Sequence, residues 1–227
     1  MDPKNIHFLH ISKNAGTQMG TIAQQINTDG RYFVQKHSHS VKLFNIPGND
    51  DFFFSIRSPE TRFVSGFYSR KRKGQPRMLR EWTAFEREAF GDFEHANDLA
   101  EALFEPGHSG LRALCAMKSI FHCAEDQLNW FLLTGYFLRI RVPLMIVRQE
   151  HFESDVKFLF RLLSIPSPPV FDRSKVGRHA NNYVDVPPLS PKAITNLRRW
   201  YAQDFEFYEK LNHWLANQFP GQLEGLA

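Results

Sequence analysis

Cysteine is almost missing from this chain of 227 residues; Cys115 and Cys123 are the only two. Without a second pair there is no ligand set for a structural zinc site. Eight residues apart in a helix-patterned region, the two read as small core residues rather than a disulfide. Long apolar runs are missing as well, and none approaches the roughly 20 residues of a membrane span. Met1 to Asn5 leads directly into the first short apolar run, which leaves no room for a signal peptide. A complete chain with these features is expected to be cytoplasmic. Internal repeats and low-complexity segments are absent. A strong net charge is lacking too, the total being +4. Between Arg57 and Arg80 there are eight Lys or Arg and one acid, Glu60, a local +7 that leaves −3 for the remainder. The positive charge is therefore a site, not the basic body of a nucleic-acid-binding protein.

Against these absences stands an ample supply of core material. Hydrophobic residues make up 42% of the chain, and Phe alone occurs 22 times. That suits a single domain spanning 1–227, with a helical insertion at about 74–138. The chain is organised around His10-Ile11-Ser12-Lys13-Asn14-Ala15-Gly16-Thr17-Gln18. The run Ile6 to Ile11 before it is too short for a typical helix and suits a buried strand. After it, Met19, Ile22, Ala23 and Ile26 recur on one face of a helix that should end at Asn27 to Gly30. A loop between strand and helix, with Lys13 beside exposed helix amides and Gly16 allowing close approach, suits a phosphate or sulfate. It is not a Walker A loop, because G-x-x-x-x-G-K-[ST] is absent.

Arg31 to Lys36 reads as a second strand, delivering His37-Ser38-His39 at its end. If the strand runs on that far, both histidines point to one side. Phe52 to Ile56, an unbroken apolar run, suits a central parallel strand. Ser58 and Pro59 then stand at the N-cap and first position of a helix, with Phe63 and Phe67 facing a core. Arg70-Lys71-Arg72-Lys73, continued by Arg77 and Arg80, has two readings, a solvated helix end or recognition of an anionic acceptor. Residues 81–138 look helical throughout, with Phe93, Ala96, Ala100 and Leu103 on one face and Leu128, Phe131, Leu132 and Tyr136 on another. His95, His108 and His122 read as structural or surface residues. Pro143 to Val147 is the next strand, and the helix after it carries Phe152, Val156, Leu159, Phe160 and Leu163. Asp172 to Pro188 is an irregular loop of a length that is often functional. From Ser190-Pro191 a final helix keeps one apolar stripe through Ile194, Leu197, Tyr201, Phe205, Tyr208, Leu211 and Leu215. Strand–loop–helix units repeated in this way imply an α/β fold, a P-loop-like parallel β-sheet flanked by helices. Ligands of such sheets bind at the carboxyl ends of the strands, where Lys13, His39 and Arg57 all fall.

Two of these strand ends carry a resemblance. The first loop resembles the 5′-phosphosulfate loop of the membrane-associated sulfotransferases of carbohydrates, H-I-P-K-T-A-G-T-S, with Ser12, Asn14 and Gln18 as departures. The second, from Arg57, resembles that family's 3′-phosphate motif, R-D-P-x-x-R-x-x-S-x-Y, with Arg57, Pro59, Arg62 and Ser65 in register and Ser58 replacing the aspartate. The resemblance implies a sulfotransferase that moves a sulfuryl group from 3′-phosphoadenosine 5′-phosphosulfate (PAPS) to a hydroxyl, releasing adenosine 3′,5′-bisphosphate (PAP), with no metal. It implies that Lys13 serves both the phosphosulfate and the leaving phosphate. Asn14, Ala15, Gly16, Thr17 and Gln18 would hold the 5′-phosphate, and Arg57 and Ser65 the 3′-phosphate. Related enzymes cover the nucleotide with a late loop, which makes Arg178 a further phosphate contact. The uronyl 2-O-sulfotransferases of the family carry an H-x-H between the two motifs, with histidine as base. His37 and His39 stand in that position, His39 as the base. The expected partner is a carbohydrate or other hydroxyl-bearing acceptor, with no nucleic acid and no membrane span. Two other classes stay open at this point. A P-loop nucleotide kinase would share the anion loop, but this chain lacks the Walker lysine-serine pair and a clear magnesium carboxylate. A nucleic-acid-binding module would use the basic run at 70–80.

Overall fold

A computed structural model describes residues 2–76, 78–131, 136–172 and 186–222. The apolar runs at Lys4–Leu9 (β1), Tyr32–Lys36 (β2), Asp51–Ile56 (β3) and Met145–Arg148 (β4) form one parallel sheet in the order β2-β1-β3-β4. Burial explains their differing patterns. Phe52, Phe53 and Phe54 of β3 are all at most 1% exposed, because side chains on both faces of a central strand are covered. In the edge strand β2 only Val34 is buried. Its other flank is tied down by Asn27, whose Oδ1 accepts the Val34 N–H at 2.6 Å.

The chain forms two compact units, each with its own core. The first comprises Met1–Arg57, Gln127–Ala180 and Glu206–Ala227. Here helix α1 (Gly16–Thr28) buries Met19, Ile22, Ala23 and Ile26, the face that the spacing predicts. The second comprises Ser58–Asp126 and Asn181–Phe205. It holds α2 (Pro59–Lys71), α3 (Ala84–Asp92), α4 (Ala96–Ala102) and α5 (His108–Ser119) around Phe63, Phe67, Leu99, Met117 and Tyr201. Pro59 opens α2 at the expected position, while Ser58 makes no side-chain cap bond. The first unit continues with α6 (Phe137–Ile140) and α7 (Phe152–Leu162), and α7 buries its predicted face.

Several expectations are corrected. The final stripe is not one helix: α8 (Pro191–Trp200) stops at Tyr201, and α9 (Ala202–Gln218) starts after it. The cause is a divided loyalty of the apolar positions. Leu197 and Tyr201 belong to the second core, with the Tyr201 hydroxyl donating to the Cys123 carbonyl at 2.6 Å, whereas Phe207, Leu211 and Leu215 belong to the first. Leu128 and Phe131 are buried, but Gln127–Trp130 is a short 3-10 turn and Tyr136 is exposed, so these three share no helix face, and Leu132 lies outside the described residues. Cys123 is a buried free thiol as expected, while Cys115 is exposed.

Within the basic run, Arg70 is not solvated. Arg70 is only 3% exposed, inside the second unit. Its Nε and Nη2 donate to the two Glu86 carboxylate oxygens at 2.6 and 2.7 Å, and it also reaches the carbonyls of Arg80 and Glu81. Lys73 pairs with Glu81 at 2.7 Å, and Lys71 donates to the Glu94 carbonyl. Arg70, Lys71 and Lys73 thus join α2 to the segments after it, while Arg80 is exposed and Arg77 lies outside the described residues.

Candidate active site

Beyond Leu9 the chain turns through residues 10–15 into α1. Two residues of this loop that are not glycine take the left-handed conformation, Lys13 with φ 68° and Ala15 with φ 57°. Each costs about 1–2 kcal/mol and persists only where the surroundings impose it. Asn14, between them, does the imposing. Its side chain is fully buried and Nδ2 donates to the Ser55 carbonyl at 2.9 Å and to Gln127 Oε1 at 2.7 Å, while Ser55 Oγ donates to the Asn14 carbonyl. The Asn14 side chain thus faces inward to the frame of the loop, and only its backbone is left to meet an anion.

The loop ends on a helix start suited to negative charge. Ala15 is the N-cap without any side-chain cap, and no acid occupies the first turn. The first helical bond runs from the Met19 N–H to the Ala15 carbonyl at 3.0 Å, so the amides of Gly16, Thr17 and Gln18 precede it and carry the positive end of the helix dipole. Gly16 has a reason that the sequence conceals. A Cβ there would lie 1.7 Å from His10 Nε2, so the glycine makes room for an imidazole.

His10 in turn organises His39. The two rings tilt at 42° with centroids 4.0 Å apart, and His39 Nδ1 lies 2.9 Å from the His10 carbonyl oxygen. A carbonyl only accepts, so His39 Nδ1 carries the proton and Nε2 is the basic nitrogen of the neutral ring. β2 stops at Lys36, and His37 and His39 are held by separate anchors rather than as neighbours on one strand face. His37 Nε2 meets His7 Nδ1 at 2.8 Å, and His7 Nε2 donates to Asp50 Oδ2 at 2.9 Å. Burial, and then the neighbouring His7, push the His37 imidazole below its ordinary pKa.

Arg57 follows β3 directly. Its Nη1 donates to the Lys13 carbonyl at 3.4 Å, so the first unit brings the two strand ends together. Gln127 joins the same cluster, accepting the Arg57 N–H at 3.1 Å and donating to the Arg57 carbonyl at 2.8 Å. Gln18 lines a small hollow with Thr21, Phe152 and Phe171. Ser65 lies in the second unit, buried on α2. There Arg62 is 1% exposed, donating to the Glu125 carbonyl at 2.8 Å and lying 4.0 Å from Asp204. Nearby Asp126 is pushed up to about 6 by burial and by Asp204. Arg178 lies outside the described residues.

Sequence reasoning missed His10, His7, Asp50, Ser55 and Gln127. His10 could have been flagged because it opens the motif stretch. Gln127 carries no local signal, being 70 residues from Arg57. Among the described residues no helix is long and apolar enough to cross a membrane. No curated protein matches the chain. The Sulfotransferase family model matches residues 1–210, a stretch that includes both strand-end loops and the histidines around them. The chain therefore belongs to the Sulfotransferase family, whose chemistry is sulfuryl transfer.

Proposed function

We propose that the chain transfers the sulfuryl group of PAPS to a carbohydrate hydroxyl, with Lys13, Arg57 and His39 as the principal residues. The observation that carries this reading is the 2.9 Å bond to the carbonyl of His10, three residues before Lys13 in the same loop, which fixes His39 with Nε2 as its basic nitrogen. A hydroxyl is a poor nucleophile until a base takes its proton, and imidazole is suited to that at neutral pH. The residues fit the nucleotide: a helix start without acids, Lys13 in the loop, and a guanidinium against that loop.

When bound, PAPS supplies the sulfuryl group and a phosphate leaving group. The acceptor oxygen forms its bond to sulfur as the bond from sulfur to the phosphate oxygen breaks, and His39 Nε2 receives the hydroxyl proton. Lys13 and the amides of Gly16 to Gln18 neutralise the charge left on the phosphate, which is the main demand of such a transfer. Arg57 binds the 3′-phosphate through charge-assisted bonds, and the resemblance assigns Ser65 to the same phosphate. Lys13 acts in ground state and transition state alike, His39 in the transition state. The carbohydrate acceptor rests on the H-x-H shared with the uronyl 2-O-sulfotransferases.

The test is sulfate transfer from labelled PAPS to a panel of glycans, with PAP binding followed in parallel. His39→Ala should cut turnover by roughly 10²–10⁴-fold and leave PAP affinity nearly unchanged. Lys13→Ala should harm both. His37→Ala should cost less than His39→Ala; the reverse order would move the base by two residues. Absence of transfer to any glycan, with transfer to tyrosine peptides, would overturn the acceptor class.

A further inference from the structure

The geometry points to Gln127 as a positioning residue that makes the site demand both phosphates of its nucleotide, an inference that rests on the PAPS reading above. The β3–β4 ladder has its last pair at Ile56 and Arg148, so the backbone of Arg57 lies one residue beyond strand pairing. The side-chain amide of Gln127 takes the place of a strand there. Its Oε1 accepts the Arg57 N–H at 3.1 Å, and its Nε2 donates to the Arg57 carbonyl at 2.8 Å. Pairing both main-chain groups of one residue fixes its backbone dihedrals and hence the direction of its side chain. Gln127 is 0% exposed, so no water replaces these bonds if they are lost.

The same Oε1 also accepts Asn14 Nδ2 at 2.7 Å. Asn14 is the residue that holds the loop between its two left-handed positions. One buried oxygen is thus shared by the residue assigned to the 3′-phosphate and the loop assigned to the 5′-phosphosulfate. The spacing of the two anion contacts is set by Gln127 before any ligand arrives. A ligand with both phosphates matches that spacing, and one lacking the 3′-phosphate draws on only half of it.

The experiment compares PAP with adenosine 5′-phosphosulfate, which lacks the 3′-phosphate, by titration calorimetry on the full chain. Gln127→Glu keeps size and Oε1 but sets an oxygen against the Arg57 carbonyl. It should weaken PAP about tenfold or more, the scale of one charged hydrogen bond, and adenosine 5′-phosphosulfate less than about threefold. The double variant Q127E/R57A should show no larger loss of the PAP preference than R57A alone, because Gln127 acts through Arg57. Should Q127E fail to fold, the uncharged Gln127→Met, which also removes the Oε1 bonds to the Arg57 N–H and to Asn14, is read by the ratio of the two losses, and the loss for PAP should still exceed that for adenosine 5′-phosphosulfate more than about threefold. Equal weakening of both ligands, or additive losses in the double variant, would overturn the inference while leaving the PAPS reading standing. Failure of the wild-type chain to bind PAP would overturn both.

Discussion

Arg70→Leu provides the sharpest test of how the basic run is used. The guanidinium makes two bonds to Glu86 at 2.6 and 2.7 Å and two to main-chain carbonyls, at 3.2 Å each. Its partner is only 1% exposed and also accepts the amides of Thr83 and Phe121. Burial alone would raise the Glu86 carboxyl, but the bonds from Arg70 and the Thr83 amide hold it below its ordinary value, so it is charged at neutral pH. Removing Arg70 leaves that charge buried and without its counterion, which costs about 3–5 kcal/mol. For a chain of this length the melting temperature should fall by roughly 6–20 °C. Arg70→Leu with Glu86→Leu should recover most of the loss, short by about 1 kcal/mol because Glu86 also completes the capping box of α3. Urea and thermal unfolding of the three variants give the cycle, with sulfate transfer measured on each. If Arg70→Leu unfolds within about 0.5 kcal/mol of wild type and instead abolishes acceptor binding, the pair is not structural and the run binds acceptor after all.

Three further outcomes are expected. Arg57→Ala should weaken PAP by about 1.5–3 kcal/mol and adenosine 5′-phosphosulfate far less, measured by titration; a uniform loss would remove Arg57 from the 3′-phosphate. Asp126, raised from 3.8 to about 6, holds its proton more tightly when folded, so its contribution is present at low pH and lost as pH rises through that window. The displacement corresponds to at most about 3 kcal/mol, reduced to about 1–2 kcal/mol by partial exposure, so Asp126→Asn should stabilise the protein by that amount at pH 7.5 in urea titrations; no gain would show that the carboxylate is well solvated. His37 is lowered from 6.5, so its neutral form contributes stability above that pH and loses it as pH falls below. His37→Asn should flatten the slope of melting temperature between pH 5 and about 6.5, and an unchanged slope would assign the acid sensitivity elsewhere.

Periodicity and local chemistry by themselves determine the first three strands and the helix between the first two. The short run at Ile6, the buried face Met19-Ile22-Ala23-Ile26 and the Phe52–Phe54 strand are each specified within a few residues, since strand and helix faces repeat at two and 3.6 positions. The strand-end positions of Lys13, Arg57 and the H-x-H followed from the same local pattern. Tertiary structure alone decided what those side chains meet. Neither reading of Arg70, solvated helix end or contact to an anionic acceptor, included Glu86, its counterion, because it lies 16 residues away. The Asn14 side chain is turned inward by the Ser55 carbonyl and Gln127, which lie 41 and 113 residues away. At Gly16 the neighbour that excludes a Cβ is His10, folded back across the loop. The stripe after Ser190 keeps one helical period, yet two separate cores claim its halves, and periodicity carries no mark of which core a residue joins. Hydrogen-bond partners and core membership depend on closing long loops of chain, and a pattern local to ten residues holds no record of that closure.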